Sequence, residues 1–156
     1  MTDWDALIPG IDAALKKHMA WKSALLSALH SGTSEMSPYE AACDHACDFG
    51  RWFHGPDIPD AVRILPIYRR VAQLHAEFHA NAAKVLLHAT GGRKTEAREV
   101  LNGPFEAASA ALMRALQDWK HDLSTAPRTG AALSPAAPPV AAAPAAPAMP
   151  PGHPPV

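Results

Sequence analysis

Seven side chains between Tyr68 and Leu86 decide the kind of architecture open to this chain. Tyr68, Val71, His75, Phe78, Ala82 and Leu86 follow one another at intervals of three and four, and His79 stands four after His75 and three before Ala82, the spacing that brings side chains to one face of an α-helix. Pro66 suits the first position of such a helix, and Gly91-Gly92 stops it near Thr90. A lone amphipathic helix cannot bury its own stripe, so other helices must cover it. The two imidazoles in mid-stripe then need hydrogen-bond partners or a metal, because a buried polar atom left alone is costly.

Three more helical segments answer that demand. Ile11, Ala14, Leu15, Trp21, Leu25 and Leu29 mark a first helix between a Pro9-Gly10 break and a Ser31-Gly32-Thr33-Ser34 stop. His18 falls on this stripe and points inward. Ser37-Pro38-Tyr39-Glu40 reads as an N-cap, a first-turn proline and the glutamate of a capping box. The second helix it starts is expected to run to about His54, placing Cys43 and Cys47 one turn apart, and to end at Gly55-Pro56. Gly50 inside it costs roughly 1 kcal/mol against alanine, which calls for close packing or a bend. Residues 55–65 read as an irregular connection. A last helix from near Lys94 carries Phe105, Ala108, Leu112, Leu116, Trp119 and Leu123 on one face, kinked or interrupted at Gly103-Pro104. No alternating strand pattern competes, so the expected fold is all-α: an antiparallel four-helix bundle over residues 1–123.

Beyond Leu123 the composition changes. Ten of the sixteen prolines and eleven alanines fall in residues 124–156, with Arg128 the single charged side chain. So little large apolar surface cannot offset the entropy of ordering, and the segment is expected to be a disordered, partly polyproline-like tail. A formal net charge of -1 provides no footprint for nucleic acid or an anionic membrane, so neither is expected as a partner. Met1-Thr2-Asp3-Trp4-Asp5 is acidic where a signal peptide is basic, and no run approaches the roughly 20 apolar residues of a membrane span, which predicts a cytoplasmic protein. Thiols stay reduced in that compartment, so Cys43 and Cys47 read as metal-binding, redox-active or buried groups, not as a disulfide.

His75 and His79 sit four residues apart on one helical face, close enough to share one metal ion. That spacing alone is as compatible with two structural histidines as with a half-site. Their place beside Val71 and Phe78 favours ligation, and His18 and Cys47 arrive on the inward stripes of two other helices. Three imidazoles and one thiolate suit Zn2+, which takes such donors tetrahedrally at about 2.0–2.3 Å. The expected metal site is therefore His18, Cys47, His75 and His79. A zinc-protease helix would need its glutamate directly after the first histidine, whereas Glu77 stands two residues on, about 200° around the helix. A di-iron centre would need several inward carboxylates, and c-type haem would need a histidine directly after the second cysteine. Neither pattern is present. Four protein donors also leave no position for a reactive water, so no enzymatic activity is expected.

The run from Cys47 to Gly55, Cys-Asp-Phe-Gly-Arg-Trp-Phe-His-Gly, resembles the signature of the chemoreceptor zinc-binding domain family. His18-Met19-Ala20-Trp21-Lys22 is similar to the family's first-helix motif, His75 to His79 to its paired-histidine motif, and Phe105 to Ser109 to positions of its last helix. The resemblance covers roughly residues 11–123. It implies a four-helix domain that usually forms a homodimer and binds zinc through His18, Cys47, His75 and His79. It also implies a role in bacterial signalling, of the chemotaxis or cyclic-di-GMP type, through zinc occupancy or oxidation of the zinc-bound cysteine. The chain has neither a signalling coiled coil nor a cyclase domain, so the output is expected to pass to a signalling protein in trans. A zinc buffer or structural zinc adaptor is the alternative.

Cys43 is read as a small buried hydrophobe in preference to a second ligand or resolving thiol. His30, His45, His54, His88, His121 and His153 are read as surface or helix-end histidines, and Trp21 and Trp52 as core packing.

Overall fold

Helix forms along the stripes of the first, third and last expected helices, and the termini show why. The structure, a computed structural model, describes residues 4–126. After a 3-10 turn at Trp4–Leu7 come α1 (Ile8–Ser31), α2 (Pro38–Ala42), α3 (Asp48–Phe53), α4 (Asp60–Arg63), α5 (Pro66–Thr90), α6 (Lys94–Val100) and α7 (Glu106–Thr125). The described residues hold no strand, so the all-α expectation stands. Of the tail expected over residues 124–156, all but the first three residues lie outside the described part.

The Pro9-Gly10 pair does not break the first helix. Pro9 sits in the first turn of α1, where its missing N–H would have had no intrahelical partner in any case. Gly10 lies under the Trp52 ring, 2.4 Å from where a Cβ would stand. At the other end Gly32 takes φ 72° as the C-cap, a left-handed conformation that glycine adopts without penalty.

The expected second helix is two short ones, not one long one. Its start holds as read: Ser37 accepts from the Glu40 amide while Glu40 accepts from the Ser37 amide, a complete capping box. The helix then stops after Ala42, because Cys43 turns to ψ 96°. Cys43, Asp44 and His45 are all weak helix formers. The chain re-enters helix at Asp48 with Cys47 as its N-cap. What leaves room for the interruption is Gly50, against which the Asp44 carbonyl lies; a Cβ there would stand 1.8 Å from that oxygen. The glycine read as an energetic cost inside a helix is thus the seat of a folded-back loop.

The long helices share one core. α5 packs against α1, α2, α6 and α7, and α1 also meets α3 and α7. Trp119, Phe53, Phe78 and Phe105 are the largest fully buried side chains. Phe53 stacks on Tyr68 at 4.1 Å, and the Tyr68 hydroxyl donates to the Phe53 carbonyl at 2.9 Å. Gly103-Pro104 widens the last long helix into a π-turn over Leu101–Phe105. This accommodates the amide that proline lacks and keeps Leu101 and Phe105 both buried, the latter 5.0 Å from Phe78. The whole stripe from Phe105 to Leu123 is buried as read. No described helix is long and apolar enough to cross a membrane.

Candidate metal centre

His18, His75 and His79 are buried to 2%, 0% and 1% exposure. Each is placed by its helix. His18 is on the α1 stripe between Ala14 and Leu25, and its Nδ1 lies 2.7 Å from the Ala14 carbonyl. Since a carbonyl only accepts, Nδ1 carries the proton and Nε2 holds the lone pair. His79 on α5 repeats the arrangement with the Ala41 carbonyl at 2.8 Å. That carbonyl is among the last of α2, which have no partner within their own helix. The interruption of the second helix therefore supplies the group that orients His79.

Cys47 arrives differently from the expectation. It does not lie on a helical stripe; its sulfur caps α3, accepting from the Gly50 amide at 3.2 Å. The same sulfur lies 3.4 Å from His75 Nε2. One donor atom from each of His18, Cys47, His75 and His79 falls within 4.8 Å of the others. A tetrahedral zinc with bonds of about 2.0–2.3 Å sets its ligands about 3.3–3.8 Å apart, so a small contraction closes the four onto one ion.

The hydrogen bonding shows that these residues fit a metal. His18 Nε2, His75 Nδ1 and His79 Nε2 are buried with no hydrogen-bond partner. Leaving one such atom alone costs about 1–3 kcal/mol. The lone pairs of His18 Nε2 and His79 Nε2, with His75 Nε2 beside the Cys47 sulfur, call for a shared electrophile, and neutral imidazoles with a thiolate are donors that Zn2+ accepts.

Electrostatics keeps the imidazoles in the ligand form. Burial drives the pKa of His75 down to about 2, with His79 and His18 adding to the effect. Burial also takes His18 to about 4 against its hydrogen bond to Ala14. His79 is lowered by burial against the raising influence of Ala41. Burial pushes the Cys47 thiol up, while the Gly50 and Phe49 amides pull it down. A coordinated cation reverses that balance and takes the proton off the sulfur. Around the donors stand Phe49, 4.8 Å from His75; Phe78, 4.9 Å from His18; and Trp21, 5.4 Å from His79. Trp21 therefore walls the site, whereas Trp52 packs over Gly10 and against Trp119.

Cys43 is exposed, not a buried hydrophobe, because the chain leaves the helix at that residue. His45 is exposed and His54 caps the end of α3, as read, and their rings stack at 3.9 Å. His30 and His121 are exposed as read, His88 is partly so, and His153 lies outside the described residues. What sequence reasoning missed are the two orienting carbonyls and the Asp44 seat. The visible signal was a glycine three residues after Cys47, in a segment otherwise free to be helical.

Comparison with known proteins agrees with the motifs. No curated protein and no solved structure matches the chain. Residues 18–86 match the chemoreceptor zinc-binding domain family, the one the motifs resemble, and this stretch contains all four members of the buried donor cluster.

Proposed function

We propose that this chain is a zinc-binding regulatory module in which His18, Cys47, His75 and His79 hold one Zn2+. The observation that carries the reading is the convergence of four donor atoms within 4.8 Å, three of them on buried histidines, with His18 Nε2 and His79 Nε2 lacking any hydrogen-bond partner. Four protein donors close the coordination sphere, which suits sensing or structure and not hydrolysis. With zinc bound, Cys47 is held as the thiolate, the form an oxidant attacks. Hypochlorous acid converts a thiolate to a sulfenic acid with release of chloride, and the site loses its sulfur donor. In this reading the chain works in the cytoplasm as a homodimer. Zinc occupancy or Cys47 oxidation alters its contact with a signalling partner in trans, in a chemotaxis or cyclic-di-GMP pathway.

Metal analysis of protein purified without added zinc tests the site. The wild type is expected to carry one zinc at the four-donor cluster, and Cys47→Ala to lose most of it; equal zinc in both refutes the ligand set. The competing reading, a structural adaptor or buffer, draws on the way the donors tie α1, α3 and α5 together. A chelator separates the two: sensing requires that the helices persist when zinc is withdrawn, and helix loss on chelation assigns the metal to structure.

A further inference from the structure

Asp44, His45 and His54 form a second group of metal-binding side chains, separate from the four above. Asp44 and His45 belong to the loop between α2 and α3, and His54 is the C-cap of α3. One donor atom from each lies within 4.8 Å of the others. The His45 ring lies flat on His54, with centroids 3.9 Å apart and planes 10° from parallel, and His45 Nδ1 is 2.9 Å from Asp44 Oδ1. His54 Nε2 is shut off from solvent without a hydrogen-bond partner. Two imidazoles and one carboxylate are a donor set for divalent first-row metals, with positions left over for water.

We propose that Asp44, His45 and His54 bind a second divalent transition-metal ion, Zn2+ or Ni2+, more weakly than the four-donor site. The parallel rings aim their lone pairs in separate planes, so sharing an ion requires one ring to tilt. His45, with 64% of its side chain exposed, is free to do so, and Asp44 then exchanges its hydrogen bond to His45 for a bond to the metal. That rearrangement, together with three donors in place of four, sets the affinity below that of the first site. The Asp44 main chain is the link between the sites: its carbonyl rests on Gly50, whose amide donates to the Cys47 sulfur at 3.2 Å. Filling the second site thus bears on the loop that positions Cys47, and rising metal levels act on the module in two steps.

Titration of the untagged, metal-free full chain with Zn2+ against chelators of graded affinity, and in parallel with Co2+, tests this. Two ions per chain are expected, the tighter one with thiolate-to-cobalt charge transfer and the weaker one without it. His45→Ala, and separately His54→Gln, should each abolish the weaker ion while leaving the affinity of the tighter one within about threefold and its charge-transfer band intact. Cys47→Ala should remove the band and the tight ion yet keep the weaker one, so failure of the four-donor site is told apart from failure of this one. A wild type that takes only one ion at saturating zinc overturns the proposal, as does either histidine variant that still takes two.

Discussion

Replacing Gly50 by alanine would put a methyl carbon 1.8 Å from the Asp44 carbonyl oxygen and 2.9 Å from its carbonyl carbon, where ordinary contact begins at 3.4 Å. The oxygen is main chain and cannot rotate away as the end of a side chain can. Either the loop over residues 43–47 lifts by about 1.5 Å or α3 moves by as much, on the scale of strain that costs about 1–3 kcal/mol. Alanine returns about 0.5–1 kcal/mol of helix preference, so the metal-free protein is expected to lose about 1–2 kcal/mol net. Metal binding should suffer more visibly. Metal bonds tolerate about 0.2 Å of error, and Cys47 Sγ is held by the Gly50 amide itself. Loss of such an orienting contact typically lowers affinity about 10- to 100-fold. Urea unfolding of the metal-free protein and zinc competition against a chelator read the two quantities. Gly103→Ala is the control: nothing lies within 4 Å of its added carbon, so zinc affinity should not change. If Gly50→Ala binds zinc as tightly as the wild type, the Asp44 seat does not position the sulfur.

Acid should unfold the metal-free protein through its buried histidines. The folded-state pKa values of His18, His75 and His79 all lie below the ordinary 6.5, so the unfolded chain binds more protons. Stability is therefore full above about pH 6.5 and falls as pH drops below it, by up to about 1.4 kcal/mol per unit for each histidine that titrates only when unfolded; a flat unfolding midpoint from pH 7 to pH 5 would refute this. Ser37→Ala removes the cap of α2 and should cost about 1 kcal/mol, and, because α2 presents the Ala41 carbonyl to His79, it should also weaken zinc binding in the same competition assay. Unaltered zinc affinity in a destabilised Ser37→Ala protein would show that His79 is oriented without α2.

The long helices could be read from the chain because their determinants are local. A stripe at intervals of three and four, a proline in the first turn and paired glycines at the end set α5 at Pro66–Thr90, and the capping box at Ser37 forms as its four residues require. The departures arise where a distant contact decides. Cys43 and Cys47 have the spacing of one helical face, and nothing local says that the Asp44 carbonyl will fold onto Gly50 instead. Pro9-Gly10 looked like punctuation because only the Trp52 ring, far along the chain, explains the glycine. The three clustered histidines were legible from their stripes, and Cys47 from its side-chain chemistry. The route by which Cys47 reaches the others was not, and neither was the pairing of His45 with His54 across the two ends of α3.

The Cys47 sulfur fastens two things at once. It closes the first turn of a six-residue helix and stands against His75 in the donor cluster, so any chemistry that draws it out of one arrangement loosens the other. The short helix it starts carries Trp52, whose ring bears on Gly10 at the head of α1. In mechanical terms α3 is a stub lever with the sulfur as its pin and an indole as its tip. A tryptophan emission change on zinc withdrawal that disappears in Trp52→Phe would record that lever moving.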